Sequence, residues 1–175
     1  DYKEAVKWYQ LSADQGFIDG QLNLGIMYEK GHGVTQDYKE AVKWLRLSAK
    51  QGSMEAQSNL GVIFKNGTGV SRDYKEAAKW FEISADQGFA VAQYNLGVMY
   101  INGEFVTKNL TNIVASFQKE AGKGAAKAQY ALALMHYKGD GVEINHIKSA
   151  GLYRKAAEKG YAEASYNLAE MYYNG

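Results

Sequence analysis

Asparagine stands at Asn23, Asn59, Asn95 and Asn167, positions separated by 36 residues or by twice that number. Each side chain carries a donor and an acceptor on one rigid amide. It can therefore pair with the backbone of an extended peptide whatever that peptide's side chains, or equally satisfy polar groups inside the fold. Tyrosine stands one position earlier in the same register, at Tyr94, Tyr130 and Tyr166, and the chain holds 14 tyrosines in 175 residues. Tyrosine supplies a large contact area with few rotatable bonds, which suits a recognition surface. The chemistry these residues offer is recognition.

Bond-making chemistry has much less to work with. The three histidines, His32, His136 and His146, form no i, i+4 pair with one another, and there is no cysteine, so neither a metal site nor thiol catalysis is expected. His136 falls in a core-phase position otherwise held by tyrosine, which predicts a packed residue. No Gly-x-Ser-x-Gly, phosphate-binding loop or dinucleotide fingerprint occurs; Gly122-Lys123-Gly124 lacks the strand and the spacing such loops need. The sequence therefore predicts no cofactor, no metal and no catalytic residue. Two Asn-x-Thr sequons, at Asn66 and Asn109, matter only in a eukaryotic secretory setting.

Composition narrows the partners. Twenty basic residues against 19 acidic ones leave a formal charge of +1, so no whole-molecule field favours nucleic acid. No apolar run approaches the ~20 residues of a membrane helix, so direct membrane insertion is not expected. The absence of cysteine does not select a compartment, and periplasmic, secreted and cytoplasmic settings all remain open. The chain starts at Asp1 without Met and ends inside a repeat at Gly175, and is read as a piece of a longer array.

The elements that position these residues follow from the period. Asp1, Asp37, Asp73, Asn109 and Asn145 open five copies of one pattern without insertion or deletion. Alanine recurs at Ala13, Ala49, Ala85, Ala121 and Ala157, glycine at Gly16, Gly52, Gly88, Gly124 and Gly160, and leucine at Leu24, Leu60, Leu96, Leu132 and Leu168. A second glycine column runs Gly31, Gly67, Gly103, Gly139 and Gly175. A period of this length defines a solenoid. Ala5, Trp8, Tyr9, Ser12 and Ala13 take the i, i+3, i+4, i+7, i+8 spacing of one helical face, predicting an amphipathic helix of about 14 residues capped by Asp1. A second helix is expected over about 18–30, with Gly20, Leu24, Met27 and Tyr28 on its buried side, ending at Gly31. The Gly-x-Gly loops at Gly31, Gly67 and Gly139 point to turns with positive φ. The tryptophans Trp8, Trp44 and Trp80 are expected to fill the wider gaps between helices, and the Lys-Glu pairs that begin at Lys3, Lys39 and Lys75 to form a solvated outer face.

The run from Ala92 to Gly103 (Ala-Gln-Tyr-Asn-Leu-Gly-Val-Met-Tyr-Ile-Asn-Gly), with Gly-x-Gly-Val and Asp-Tyr-x-x-Ala-x-x-Trp-Phe-x-x-Ser-Ala elsewhere in the register, resembles the Sel1-like repeat, a branch of the tetratricopeptide-like α-solenoids. The likeness spans the whole chain. It implies an all-α fold, an α/α right-handed superhelical solenoid of antiparallel helix pairs. In the family's phasing the array would be a single domain over 1–175, with an orphan helix B at 1–15, pairs at about 18–51, 54–87, 90–123 and 126–159, and an orphan helix A at about 162–174. The fourth copy departs from the pattern, with Ser116 in the tryptophan position, Ile113 in a small-residue position, and Gly103-Glu104-Phe105 in place of Gly-x-Gly.

In such solenoids helix A lines a concave groove, and the residue before its leucine points into that groove. The resemblance thus marks Asn23, Asn59, Asn95 and Asn167 as candidate peptide contacts, with Ala131 breaking the series, although internal structural use of these amides is equally open. Tyr94, Tyr130 and Tyr166 beside the series, and Lys65, Tyr137 and Tyr173 at the outer end of helix A, complete the candidate set. The function implied is a non-catalytic scaffold or adaptor for a protein or peptide partner, plausible in a bacterial, host-directed or signalling setting. Two alternatives are a cell-envelope scaffold and a β-lactam-binding member; the latter resembles this chain less, because such members carry paired cysteines. Apolar faces at the two ends of the sequence predict end-to-end association of this chain.

Overall fold

A computed structural model of the protein describes residues 1–104 and 110–174. Among these residues there are ten α-helices and no strand: α1 (Tyr2–Asp14), α2 (Ile18–Lys30), α3 (Tyr38–Lys50), α4 (Met54–Asn66), α5 (Tyr74–Asp86), α6 (Ala90–Ile101), α7 (Thr111–Gly122), α8 (Ala126–Lys138), α9 (His146–Ala157) and α10 (Ala162–Asn174). Consecutive helices pair, as expected of an α/α solenoid. Contacts divide the chain into two units, Asp1–Gln93 and Tyr94–Gly175. In the first, α1 packs on α2, α2 on α3, α3 on α4 and α4 on α5; in the second, α7 packs on α8, α8 on α9 and α9 on α10.

The helix starts follow the sequence closely. The carboxylates of Asp1, Asp37 and Asp73 and the amide oxygen of Asn145 each accept from a first-turn backbone N–H, which would otherwise lack a partner. Asn109, expected to play this part in the fourth copy, lies outside the described residues, as do Phe105 and Gly175. The helix ends use glycine in the left-handed region, with φ of 68° at Gly31, 72° at Gly67 and 81° at Gly139.

Glycine inside α2, α4 and α6 serves a different end. A Cβ on Gly61 would stand 2.6 Å from the Phe81 ring, one on Gly97 would stand 2.6 Å from the Phe117 ring, and one on Gly25 would stand 2.8 Å from Leu45. The glycine thus lets a large side chain of the next helix rest on bare backbone. The core of each unit is built from these contacts: Leu24, Leu45, Leu60, Ile63 and Phe81 are buried in the first, and Met99, Ile113, Phe117, Met135 and Tyr153 in the second. Ile113 and Ser116, the departures of the fourth copy, are both buried, so α7 is packed through the very positions that break the pattern.

Two expectations need correction. Trp44 and Trp80 are 8% exposed and fill inter-helix gaps, but Trp8 is 63% exposed, because no helix among the described residues lies on the outer side of α1. The glutamates of the Asp-Tyr-Lys-Glu segments are not simply solvated. Glu76 accepts from the Trp80 indole N–H at 2.8 Å and Glu4 from that of Trp8 at 3.1 Å, so each holds the tryptophan one turn later. Glu40 instead gives both oxygens to Lys43, and the buried Trp44 indole N–H is left without a partner.

Candidate functional site

The even-numbered helices carry the candidate residues. In the first unit, Asn23 on α2 and Asn59 on α4 are half-buried, and their side chains form no hydrogen bond among the described residues. Each follows a buried residue, Leu22 or Ser58, and precedes a buried leucine, Leu24 or Leu60, so the backbone at each asparagine is held in the packed helix. Lys65, on the last turn of α4, is half-buried and has a partner within the fold.

In the second unit the candidates divide. Asn95 is half-buried and likewise without a side-chain hydrogen bond. Asn167 is engaged: its amide nitrogen donates to the Tyr153 hydroxyl at 3.3 Å and the Tyr130 hydroxyl at 3.4 Å. Tyr130 is half-buried against Tyr153 and Tyr161, with ring centroids 5.7 and 4.9 Å away, and Tyr94 meets Phe117 edge-on at 5.6 Å. Tyr166 and Tyr173 are open to solvent, at 66% and 88% exposure, whereas Tyr137 sits edge-on to His146 at 5.2 Å. A cavity of about 140 Å³ lies among α8, α9 and α10, lined by Tyr137, Tyr153 and Asn167 together with Lys138, Glu170 and Met171.

Burial raises the pKa of two phenols in this unit, Tyr153 and Tyr100. Burial pushes the Tyr153 phenol up to about 12, opposed in part by the Asn167 hydrogen bond. Burial, joined by a hydrogen bond to the Asp140 carboxylate, likewise takes Tyr100 up to about 12. Both phenols are held neutral, as donors and acceptors rather than charges.

One polar column was missed by reading the sequence. Gln21, Gln57, Gln93 and Gln129 recur every 36 residues, and each amide nitrogen donates to the carbonyl of Ala13, Ala49, Ala85 or Ala121 near the end of the preceding helix, at 3.0–3.3 Å. The amide oxygens of Gln21 and Gln57 accept in turn from Gln51 and Gln87, at 2.8 and 2.7 Å. At the corresponding place in the second unit stands Lys159, which donates to the Gly124 carbonyl, and the buried Gln129 oxygen has no partner. The 36-residue recurrence was the available signal.

Among the described residues no group of three or more metal-ligating side chains converges, and no helix is long and apolar enough to cross a membrane. His136 is buried as its core-phase position predicts; its Nδ1 lies 3.2 Å from the Glu143 carbonyl, and its Nε2 is buried without a partner.

Tandem helix pairs in strict 36-residue register, with an evenly spaced polar series on every second helix, define an α/α repeat solenoid. The chain belongs to the Sel1 repeat family: the Sel1 repeat pattern matches residues 1–17, 18–53, 55–89, 90–112, 126–161 and 162–175. Arrays of this family generally serve as protein-interaction scaffolds. Among solved structures, the chain is similar to a protective antigen present in uropathogenic Escherichia coli strains displaying an SLR fold, with 38% identity and a TM-score of 0.75 over 98% of this chain. It is also similar to a Sel1 repeat protein from Oxalobacter formigenes, with 36% identity and a TM-score of 0.68 over 98% of this chain. It spans 37% of the length of the first and 70% of the second. No curated protein sequence matches the chain significantly.

Proposed function

We propose that the chain is a non-catalytic scaffold that holds an extended peptide segment of a partner protein by its backbone, through the asparagines of the even-numbered helices. The observation that carries this reading is the pair of half-buried amides at Asn23 and Asn59, which stand between buried helix neighbours and have no hydrogen bond among the described residues. The amides of Asn23 and Asn59 remain open to solvent, and a peptide backbone offers both of the complements an amide needs. Asn95 extends the reading to the second unit, where Tyr166 and Tyr173 add exposed aromatic area. Asn167 is better read as a structural residue, because its nitrogen already serves two tyrosines.

Likeness to proteins of Escherichia coli and Oxalobacter formigenes supports a bacterial setting, and the antigen among them keeps a host-facing role in view. Saturable turnover of a β-lactam would overturn the non-catalytic reading. The direct test of backbone recognition is an N-methyl scan of a peptide selected by display against the wild-type chain. Methylation of the paired amides is expected to weaken binding by roughly tenfold, as loss of a well-formed hydrogen bond together with a steric clash would do. Insensitivity of every position to methylation would contradict the proposal.

A further inference from the structure

Helix α2 begins directly after the turn Gln15-Gly16-Phe17, and α4 begins after Gln51-Gly52-Ser53. Along this edge of the first unit run two adjoining hollows, of about 580 and about 340 Å³, which share Ile18, Asp19 and Gln51 in their walls. The apolar lining comes from Phe17, Ile18, Leu22, Met54 and Phe89. Phe17 is 60% exposed and Met54 38%, so the hollows present open apolar surface. The charged lining is Asp19 and Glu55 alone; no lysine, arginine or histidine borders either hollow.

Both carboxylates sit in the first turn of their helix, where they complement the N-terminal end of the helix dipole. That accounts for their sign. It does not account for the exposed Phe17 and Met54 beside them, nor for the fact that neither carboxylate forms an ion pair among the described residues. The same register places Ser53, Met54 and Glu55 in the second copy, so the two acids are equivalent positions of adjoining copies; the triplet becomes Ala125, Ala126 and Lys127 in the fourth copy and Tyr161, Ala162 and Glu163 in the fifth.

We propose that this edge is a second docking groove, distinct from the asparagine-bearing face, and that it takes a cationic peptide segment of a partner protein whose apolar side chains alternate with lysine or arginine. Apolar side chains of the segment cover Phe17, Met54 and the exposed part of Phe89, and its cations meet Asp19 and Glu55. Acidic groups at the rim, with no competing base, favour such a segment over a neutral or acidic one and make its association salt-dependent.

The test uses the whole chain and three fluorescein-labelled decapeptides, one alternating lysine with leucine, one alternating glutamate with leucine and one alternating lysine with serine, followed by fluorescence anisotropy. Saturable binding of the lysine–leucine peptide is expected, with the other two bound at least about tenfold more weakly and with affinity falling as salt is raised. Asp19→Asn with Glu55→Gln, which preserves side-chain shape, and separately Phe17→Ser are each expected to weaken the lysine–leucine peptide by about tenfold while the circular dichroism melt stays in place. Equal binding of the glutamate–leucine or lysine–serine peptide would overturn the proposal. So would binding unaffected by both folded variants, or binding lost in Asn23→Ala with Asn59→Ala instead.

Discussion

At the scale of single residues, polar side chains in this chain fall into two groups that look alike in the sequence. The asparagines and the glutamines both recur at 36-residue steps, both lie on the even-numbered helices, and both come within three residues before the leucine column. Only the glutamines are spent internally in every described copy, on carbonyls near the end of the preceding helix. The difference was not legible, because it depends on whether a carbonyl lies within reach of a side chain one methylene longer. The ladder makes a measurable prediction. Gln87→Ala leaves the buried Gln57 oxygen without its donor and is expected to cost roughly 1–3 kcal/mol in urea unfolding, whereas Lys159→Gln supplies the missing donor to Gln129 and is expected to stabilise the second unit by about 0.5–1.5 kcal/mol. A stabilising Gln87→Ala would show that the ladder is incidental.

At the scale of helices, the period made the pairs, caps and turn glycines legible, because those depend on local backbone needs repeated five times. The burial of a given copy was less so, since it depends on what lies beside it. Trp8 and Trp80 share one position in the motif and differ from largely exposed to almost fully buried. Trp80→Ala is accordingly expected to cost roughly 3–5 kcal/mol and Trp8→Ala less than about 1 kcal/mol, readable as a shift in the urea midpoint. The helices of the second unit also carry a pH dependence. The phenols of Tyr100 and Tyr153 are raised from 10.0 to about 12, so the folded state holds these protons more tightly than the unfolded chain does. Their contribution to stability is full below pH 10 and is lost as pH rises through the interval from 10 to about 12. Alkaline melts followed by ultraviolet absorbance of tyrosinate are expected to show this decline, and Tyr100→Phe is expected to lessen it.

At the scale of the whole molecule, the near balance of charge and the unbroken register argue for recognition by shape and hydrogen bonding rather than by a broad electrostatic field. Exposed aromatic residues stand near both ends of the sequence, Tyr2 and Trp8 at one and Tyr166, Tyr172 and Tyr173 at the other. Concentration-dependent self-association of the 175-residue chain is therefore expected in sedimentation velocity, and a monomer unchanged over a hundredfold concentration range would contradict it. The family and its scaffold role were legible in the motif; the identity of a partner was not, because the motif's recurrent residues serve the fold. The central claim is that the amides of Asn23 and Asn59 serve a partner and not the fold. Its most direct test measures, on Asn23→Ala with Asn59→Ala, both the urea stability and the affinity for a display-selected peptide. Unchanged stability with binding weakened by roughly tenfold or more is predicted, as expected for two hydrogen bonds made only in the complex. A fall in stability with binding retained would assign both asparagines to the architecture and contradict the account.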